Sequence, residues 1–466
     1  MNPNTFQPPT VPGSDEIREI LVKRVDQQKQ AVGIAVGIIE PDGGRRVVAY
    51  GNLANGDPRT LDADTIFEIG SVSKVFTSLL LADMVSHKEV ALDDPAAKYV
   101  PGHVRMPERN GKSITLLDLS THCSGLPFLP GNLKMNLTQG QMIAAANPHA
   151  FYGVDDLYQF LSGYTLPRDP GSKFEYSNLG VGLLGHLLAY RAGTDYESLI
   201  RIRITGPLSM PDTGVRSSFA MKQRMATGHK ATLAPVAQQD WDSSHGLVGA
   251  GALRSSVNDM LTFLEAFLGY QETPLAPAIE AMLEVRRSAG QTKIGLGWLL
   301  YSTDGREIAW HNGATAGFRS FVGYEPKERI GVVVLSNAST PSGVDDIGLH
   351  LLNPKLPLAN PALPKQRTEI HIDPKLLDNY CGRYQVTPNL IFEITRDGDR
   401  VFAQGFAQVT GQAIVLPKFE VFAESEEKFF AKVSDNQITF ETGPEGRATS
   451  LILHRAGRDM PAARLS

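Results

Sequence analysis

Cysteine is nearly absent, with only Cys123 and Cys381 in 466 residues, far apart in the chain. Such a pair builds neither a disulfide scaffold nor a metal cluster, and it says nothing about redox compartment. Charge of one sign is lacking too. Fifty acidic against 45 basic residues leave a net charge of −5, too balanced for a nucleic-acid-binding surface. No run approaches the ~18 apolar residues needed to cross a bilayer. The largely polar first 30 residues contain no apolar core of a secretory signal. The expected compartment is therefore cytoplasmic for the sequence as written, or periplasmic or secreted if Met1 begins a trimmed chain. The oligomeric state is left open. G-x-S-x-G, H-E-x-x-H and Walker A patterns are missing, and the eleven histidines are scattered rather than set at metal-ligand spacing. No cofactor is implied.

What is there is an ordinary globular composition, 42% hydrophobic and 20% charged, long enough for two or three domains. A helix is expected after Ser14, then strands over Val32–Ile39 and Arg46–Tyr50 around the turn Pro41-Asp42-Gly43-Gly44. Val72, Val75, Phe76, Leu79, Leu80 and Met84 then trace the stripe of an amphipathic helix. From about Thr115 to Phe267 helical segments alternate with Gly/Pro loops, two opening with the capping boxes Thr115…Asp118 and Ser256…Asp259. Phe318–Tyr324 and Ile330–Leu335 read as a hairpin. Strands at both ends with helices between predict an α+β fold, its antiparallel sheet flanked by helices and its outer strands drawn from both termini.

Pro354, Pro357, Pro361 and Pro364 mark a semi-rigid linker over 354–365. Beyond it, short alternating strands are expected at Leu390–Thr395, Val401–Gln404, Ala413–Leu416, Phe429–Val433, Ile438–Glu441 and Ser450–Leu453. Their spacing predicts a small all-β barrel or sandwich. The expected domains are thus 15–353 and 366–460.

The first candidate for chemistry is Ser71-Val72-Ser73-Lys74, an S-x-x-K opening a helix. Positions i and i+3 share a face, so the hydroxyl and the amine can meet. An amine in a dry site can take the serine proton, and the helix N-terminus favours a developing oxyanion. Tyr176-Ser177-Asn178 and Trp310-His311-Asn312-Gly313-Ala314 follow. A tyrosine can relay a proton when nearby cations keep its phenol partly ionised, and an asparagine can donate to a carbonyl. Gly313 would let a substrate backbone approach the strand edge. Each motif alone is weak, because Ser425…Lys428 repeats the S-x-x-K and Tyr50-Gly51-Asn52 repeats the Y-x-N.

The ordered triple resembles the penicillin-recognising serine hydrolases, and its Y-x-N form resembles the class C β-lactamase, D-peptidase and esterase branch. Phe67-Glu68-Ile69-Gly70, the stretch Ile114–Pro127 ending Thr-His-Cys-Ser-Gly-Leu-Pro, Gly249–Asp259 and His311–Phe318 extend the likeness. The segment from about 375 to 455 resembles the lipocalin-like domain appended to such hydrolases. The resemblance implies Ser71 as acylated nucleophile, Lys74 as the amine that deprotonates it and Tyr176 as general acid/base. It implies Asn178 beside the substrate carbonyl and an oxyanion hole at the Ser71 and Ala314 N–H groups, with His311, Asn312 and Gly313 along the opposite wall. The substrate would be a β-lactam or D-amino-acid-containing peptide, hence a small molecule or short peptide. A carboxylesterase, and a non-hydrolytic sensor acylated by β-lactams or peptidoglycan fragments, are the alternatives. His311 stands where the family pattern has a lysine, which weakens recognition of a substrate carboxylate; Arg319 is a candidate replacement for that charge.

Overall fold

The computed structural model describes residues 11–133, 152–237, 241 and 245–361 apart from 285, 291 and 304, and residues 367–465 apart from 389, 410, 411, 416, 417, 432–436, 456 and 457. The chain divides into two compact units, Met1–Leu363 and Pro364–Ser466.

The first unit opens with α1 (Ser14–Val22), β1 (Gly33–Ile39) and β2 (Arg45–Gly51). Helices α2 (Ser73–Ser86), α3 (Leu116–Ser120), α4 (Val154–Gly163), α5 (Asn178–Ala192) and α6 (Val257–Leu268) follow. Strands β3 (Arg287–Ala289), β4 (Thr292–Ile294), β5 (Leu299–Thr303), β6 (Arg306–Ala314), β7 (Arg319–Glu325) and β8 (Ile330–Ser336) precede α7 (Asp345–Leu352). They make one antiparallel sheet in the order β2-β1-β8-β7-β6-β5-β4-β3.

Only one edge of this sheet comes from a terminus, contrary to the expectation from sequence. β2 is outermost, but β8 pairs with β1 inside the sheet, Val36 opposite Val334, and the far edge is β3. Burial explains the arrangement. β1 and β8 are buried along their whole length, so both need cover on two faces. Ile34, Val36, Ile38, Val332 and Val334 pack on one face with Ile17 and Leu21 of α1 and Ile347 and Leu351 of α7. Ala35, Ile39, Val333 and Leu335 face the larger core shared with α2 and α6.

Helix α2 also departs from the amphipathic helix expected from sequence. Every residue from Ser73 to Met84 is buried, so the helix has no solvent face, although its large apolar side chains follow an amphipathic spacing. Phe76 stacks on Phe263 of α6 at 4.2 Å between centroids, while Thr77 and Ser78 bond Tyr196 and Ser120 through their hydroxyls. Small polar residues satisfied by neighbours read as a polar face in a sequence window, yet lie in the interior. Of the two capping boxes, Thr115…Asp118 is complete. Ser256 caps α6, but the Asp259 carboxylate accepts instead from Asp212 N and Thr213 Oγ1, each at 2.8 Å. Residues 180–185 also carry G-x-G-x-x-G spacing, but inside α5, where Gly182 and Gly185 admit the backbone of Leu247 and Gly249. There it packs a helix rather than opening one.

The Pro-rich stretch begins on the first unit. Ala359 N donates to Asp346 and Asn360 accepts from Gln28, at 2.8 and 2.9 Å. Residues 362–365 of the expected linker lie outside the described residues.

The second unit contains β9 (Gly382–Thr387), β10 (Leu390–Asp397), β11 (Arg400–Val409), β12 (Gln412–Val415), β13 (Phe419–Ala423), β14 (Lys428–Ala431), β15 (Gln437–Thr442), β16 (Ala448–Arg455) and β17 (Arg458–Arg464). Eight of these close an antiparallel up-and-down barrel through the β10–β11 pairing, and β12 extends β11 as a hairpin. That course is the lipocalin-like one. Tyr384, Phe392, Val401, Phe429, Phe440 and Leu451 help fill its interior. β9, β13 and β17 are not among the strands expected from sequence, and β17 carries Asp459, a poor strand former, and Pro461, which strands hold only at an edge, an end or a bulge. Leu416 and residues 432–433 of the expected strands lie outside the described residues.

Leu80→Ala removes a fully buried α2 side chain and is expected to cost about 2–5 kcal/mol, seen as a lowered Tm. Phe219→Ala, at an 80% exposed position, should cost less than about 0.5 kcal/mol. Equal effects would contradict the burial of Leu80 in the core.

Candidate active site

The turn that carries Ser71 is fixed from both sides. Phe67 and Glu68 pair with Ser255 and Arg254, and Ile69 N donates to Leu253 O at 3.1 Å. The chain then bends through Gly70 at φ +50° into a 3₁₀ turn, Gly70–Val72, that leads into α2. Two glycines allow this turn to lie against β6. A Cβ on Gly70 would sit 2.7 Å from Ala314 N, and one on Gly313 would sit 2.0 Å from Ile69 O. Ser320 of β7 donates to that same Ile69 carbonyl at 2.8 Å. Pairing of β6 with β5 runs only from Arg306 to Trp310, so His311–Ala314 continue beyond β5 along the turn that carries Ser71.

Lys74 lies one turn into the helix and is 1% exposed. Its Nζ donates to Ser71 Oγ at 2.9 Å and to Ala250 O at 2.6 Å. Desolvation brings the amine down from 10.5 to about 7. A neutral amine keeps a hydrogen for Ala250 and turns its lone pair to the Ser71 hydroxyl, the geometry of a base beside a nucleophile. Ser73 and Thr77 tie the same stretch of α2 to Leu253 N and Gly249 O, so the partner carbonyl is held in place.

The ring of Tyr176 stands over this pair, its centroid 5.0 Å from Lys74 Nζ. Burial raises its phenol above the usual value, and a contact with Ser71 offsets only part of the rise. The partly ionised phenol expected from sequence is therefore not the resting form. The nearby cation titrates near 7 itself, and desolvation outweighs it. Asn178, the first residue of α5, has a buried Oδ1 without a hydrogen-bond partner among the described residues. Such a buried acceptor is left open to a donor from a bound molecule.

His311 is buried beside Tyr176, ring centroids 6.3 Å apart. Its Nδ1 lies 2.6 Å from Asn312 O. A carbonyl only accepts, so Nδ1 carries the proton and Nε2 offers a lone pair. Burial and Lys74 lower its pKa to about 4, so the ring is neutral at pH 7. The Asn312 side chain is not brought to this cluster. Its Nδ2 donates to Asp345 at 2.5 Å, on the opposite face of β6 from His311 and Gly313. Arg319 shares that opposite face, because its neighbour Ser320 points to Ile69, and its Nε donates to Thr340 O at 2.9 Å. It therefore does not replace the missing lysine.

Sequence reasoning missed His122. The ring stacks on Tyr176 at 4.3 Å and 27°, and in the sequence only its place in Thr-His-Cys-Ser-Gly-Leu-Pro points to it. Cys123, by contrast, is a buried thiol bonded to Thr121 O and raised above its usual pKa. The repeated motifs sort by setting. Ser425 Oγ accepts from Lys428 N in an exposed turn, and Tyr50 bonds Asp26 at the surface. Among the described residues no group of three His, Cys, Asp or Glu could hold a metal.

A family model described as Beta-lactamase matches residues 19–353. The chain belongs to the beta-lactamase family. As such it is a serine hydrolase of the penicillin-recognising, class C-like kind. A second family model, Domain of unknown function (DUF3471), matches residues 366–464. The D-alanyl-D-alanine-carboxypeptidase/endopeptidase AmpH of Escherichia coli K12 is 29% identical over 359 residues, 71% of this chain and 88% of the relative. The class C beta lactamase from Rhodobacter sphaeroides has a TM-score of 0.58 at 26% identity, over 70% of this chain and 95% of its own. The octameric penicillin-binding protein homologue from Pyrococcus abyssi shares the fold over 96% of this chain and 99% of its own, with TM-score 0.63 at 24% identity.

Lys74 is expected to titrate near pH 7 rather than 10.5. NMR of protein carrying ¹³C-labelled lysine, with Lys74→Met for assignment, reads this directly. A midpoint above 9 would contradict the buried geometry. The sign for stability follows from the unfolded chain holding this proton up to about 10.5. The cost of burying the ammonium is complete below pH 7 and is relieved as pH rises from 7 to 10.5.

Proposed function

We propose that Ser71 is transiently acylated and that the substrate is an amide, a β-lactam or a D-amino-acid-containing peptide. The observation that carries this reading is the buried Lys74 amine on Ser71 Oγ at 2.9 Å. The neutral amine takes the Ser71 proton as Oγ bonds to the substrate carbonyl carbon. The N–H groups of Ser71 and Ala314 hold the oxyanion, each such donor typically worth ~3 kcal/mol. The neutral phenol of Tyr176 gives its proton to the departing amine, and Asn178 orients the substrate beside the carbonyl. A water then returns a proton to the Tyr176 phenolate while its oxygen attacks the acyl group. Collapse releases the acid, and Lys74 hands its proton back to Ser71. On this reading residues 15–353 are the hydrolase domain and 366–460 an appended barrel with no assigned reaction. The names of the D-alanyl-D-alanine carboxypeptidase and class C relatives support the amide choice.

One observation favours an ester instead. The wall beside Tyr176 presents neutral His311, while Asn312 and Arg319 turn to the other face. A wall without a fixed cation holds the carboxylate of a lactam or peptide weakly.

Steady-state turnover of a chromogenic cephalosporin, a D-alanyl-D-alanine peptide and p-nitrophenyl butyrate separates the readings. Ser71→Ala should lose more than about 1000-fold on whichever is hydrolysed. Tyr176→Phe should cost more on amides than on the activated ester, because the amine leaves only when protonated. Ester turnover alone would select the esterase, and turnover independent of Ser71 would reject both.

A further inference from the structure

His122 follows α3 and takes a left-handed backbone, φ +57°, rare for a non-glycine residue and costly unless the surroundings impose it. Three successive residues of the Tyr176 segment hang on it. Its carbonyl accepts from Glu175 N at 2.8 Å, its ring stacks on Tyr176, and its Nδ1 accepts from Ser177 N at 3.1 Å. Phe174 closes on the ring edge-on at 5.7 Å. With Nδ1 accepting, the ring proton is on Nε2. Burial, Lys74 and His311 all oppose a second proton, which would set an N–H against that of Ser177. His122 itself is buried, so it is spared direct exchange with solvent.

We propose that His122 is the positioning residue for Tyr176, holding residues 175–177 by carbonyl, ring face and ring nitrogen so that the phenol meets Ser71 and the leaving group at one angle. The inference rests on the reading of Tyr176 as the acid that protonates the leaving group. A residue that merely stabilises the fold would lower all rates together. A residue that aims an acid matters most where the leaving group needs the proton.

Two substitutions divide the contacts. His122→Phe keeps the stacked ring and removes the acceptor for Ser177 N. His122→Asn keeps a short acceptor and tolerates the left-handed backbone, but removes the stack. Each is assayed beside Tyr176→Phe and Ser71→Ala on a series of esters from p-nitrophenyl to alkyl, with Tm recorded. For alkyl esters kcat is expected to fall about 10–100-fold in both variants, short of the ~100-fold or more of lost general acid catalysis. KM should stay within about threefold, and acylation by p-nitrophenyl esters, read as kcat/KM, should fall less than about threefold, because that leaving group departs without a proton. Equal losses across the series, or a change in KM alone, with turnover still dependent on Ser71, would overturn the role of His122 and leave the functional reading intact. Ester turnover untouched by Ser71→Ala, or no turnover of esters, a chromogenic cephalosporin or a D-alanyl-D-alanine peptide by the wild type, would reject the functional reading and the role of His122 with it.

Discussion

Burying the Lys74 amine against Ser71 is the constraint to which the surrounding structure answers. An ammonium taken from water into an apolar interior is penalised by several kcal/mol, and lowering its pKa from 10.5 to about 7 expresses a cost on the order of 5 kcal/mol. The fold accepts that cost by surrounding α2 completely, with α6 and the sheet on one side and α5 with the 249–253 segment on the other. A single carbonyl, Ala250 O, is left to hold the amine in place. The result is an amine that titrates near neutral pH one helical turn from the Ser71 hydroxyl, placed as a base would be.

The turn that carries Ser71 meets β6 through backbone rather than side chains. Gly70 and Gly313 bring Ile69 and Ala314 together at distances no Cβ permits, and Ser320 pins the Ile69 carbonyl from the next strand. The wall beyond is polar but uncharged, since burial keeps His311 and His122 neutral beside Lys74. One titrating cation therefore serves three basic side chains. Each would be protonated alone in water at mildly acidic pH; burial opposes it for all three, and nearby Lys74 adds to the effect at the two histidines.

Much of this was legible in the chain and some was not. Ser71 and Lys74 declare themselves because i and i+3 meet on any helix, so no tertiary knowledge is needed to place them together. Tyr176 and His311 stand out only through the order of weak motifs, since nothing local distinguishes Tyr176 from Tyr50. His122 stayed hidden because its role depends on a left-handed backbone and on a segment more than fifty residues away. The surroundings of α2 escaped for a similar reason, since Ser73, Thr77 and Ser78 look solvent-facing until their buried partners are known. In the sheet, the alternation of Ile34, Val36 and Ile38 predicts a strand but not that β8 lies beside it. In the barrel, β17 carries Pro461 and charged residues, and closure with its neighbours outweighs its poor strand propensity.

The central claim, a covalent acyl group on Ser71, is tested most directly by intact-mass analysis after mixing with a penicillin, sampled from seconds to hours and followed by peptide mapping. The account predicts an adduct of the full penicillin mass on the peptide containing Ser71, absent in Ser71→Ala, that forms and then decays as water clears it. An adduct that persists would point to a sensor that stalls after acylation. An adduct on any other residue, or one formed equally by Ser71→Ala, would contradict the claim that the buried amine exists to activate this serine.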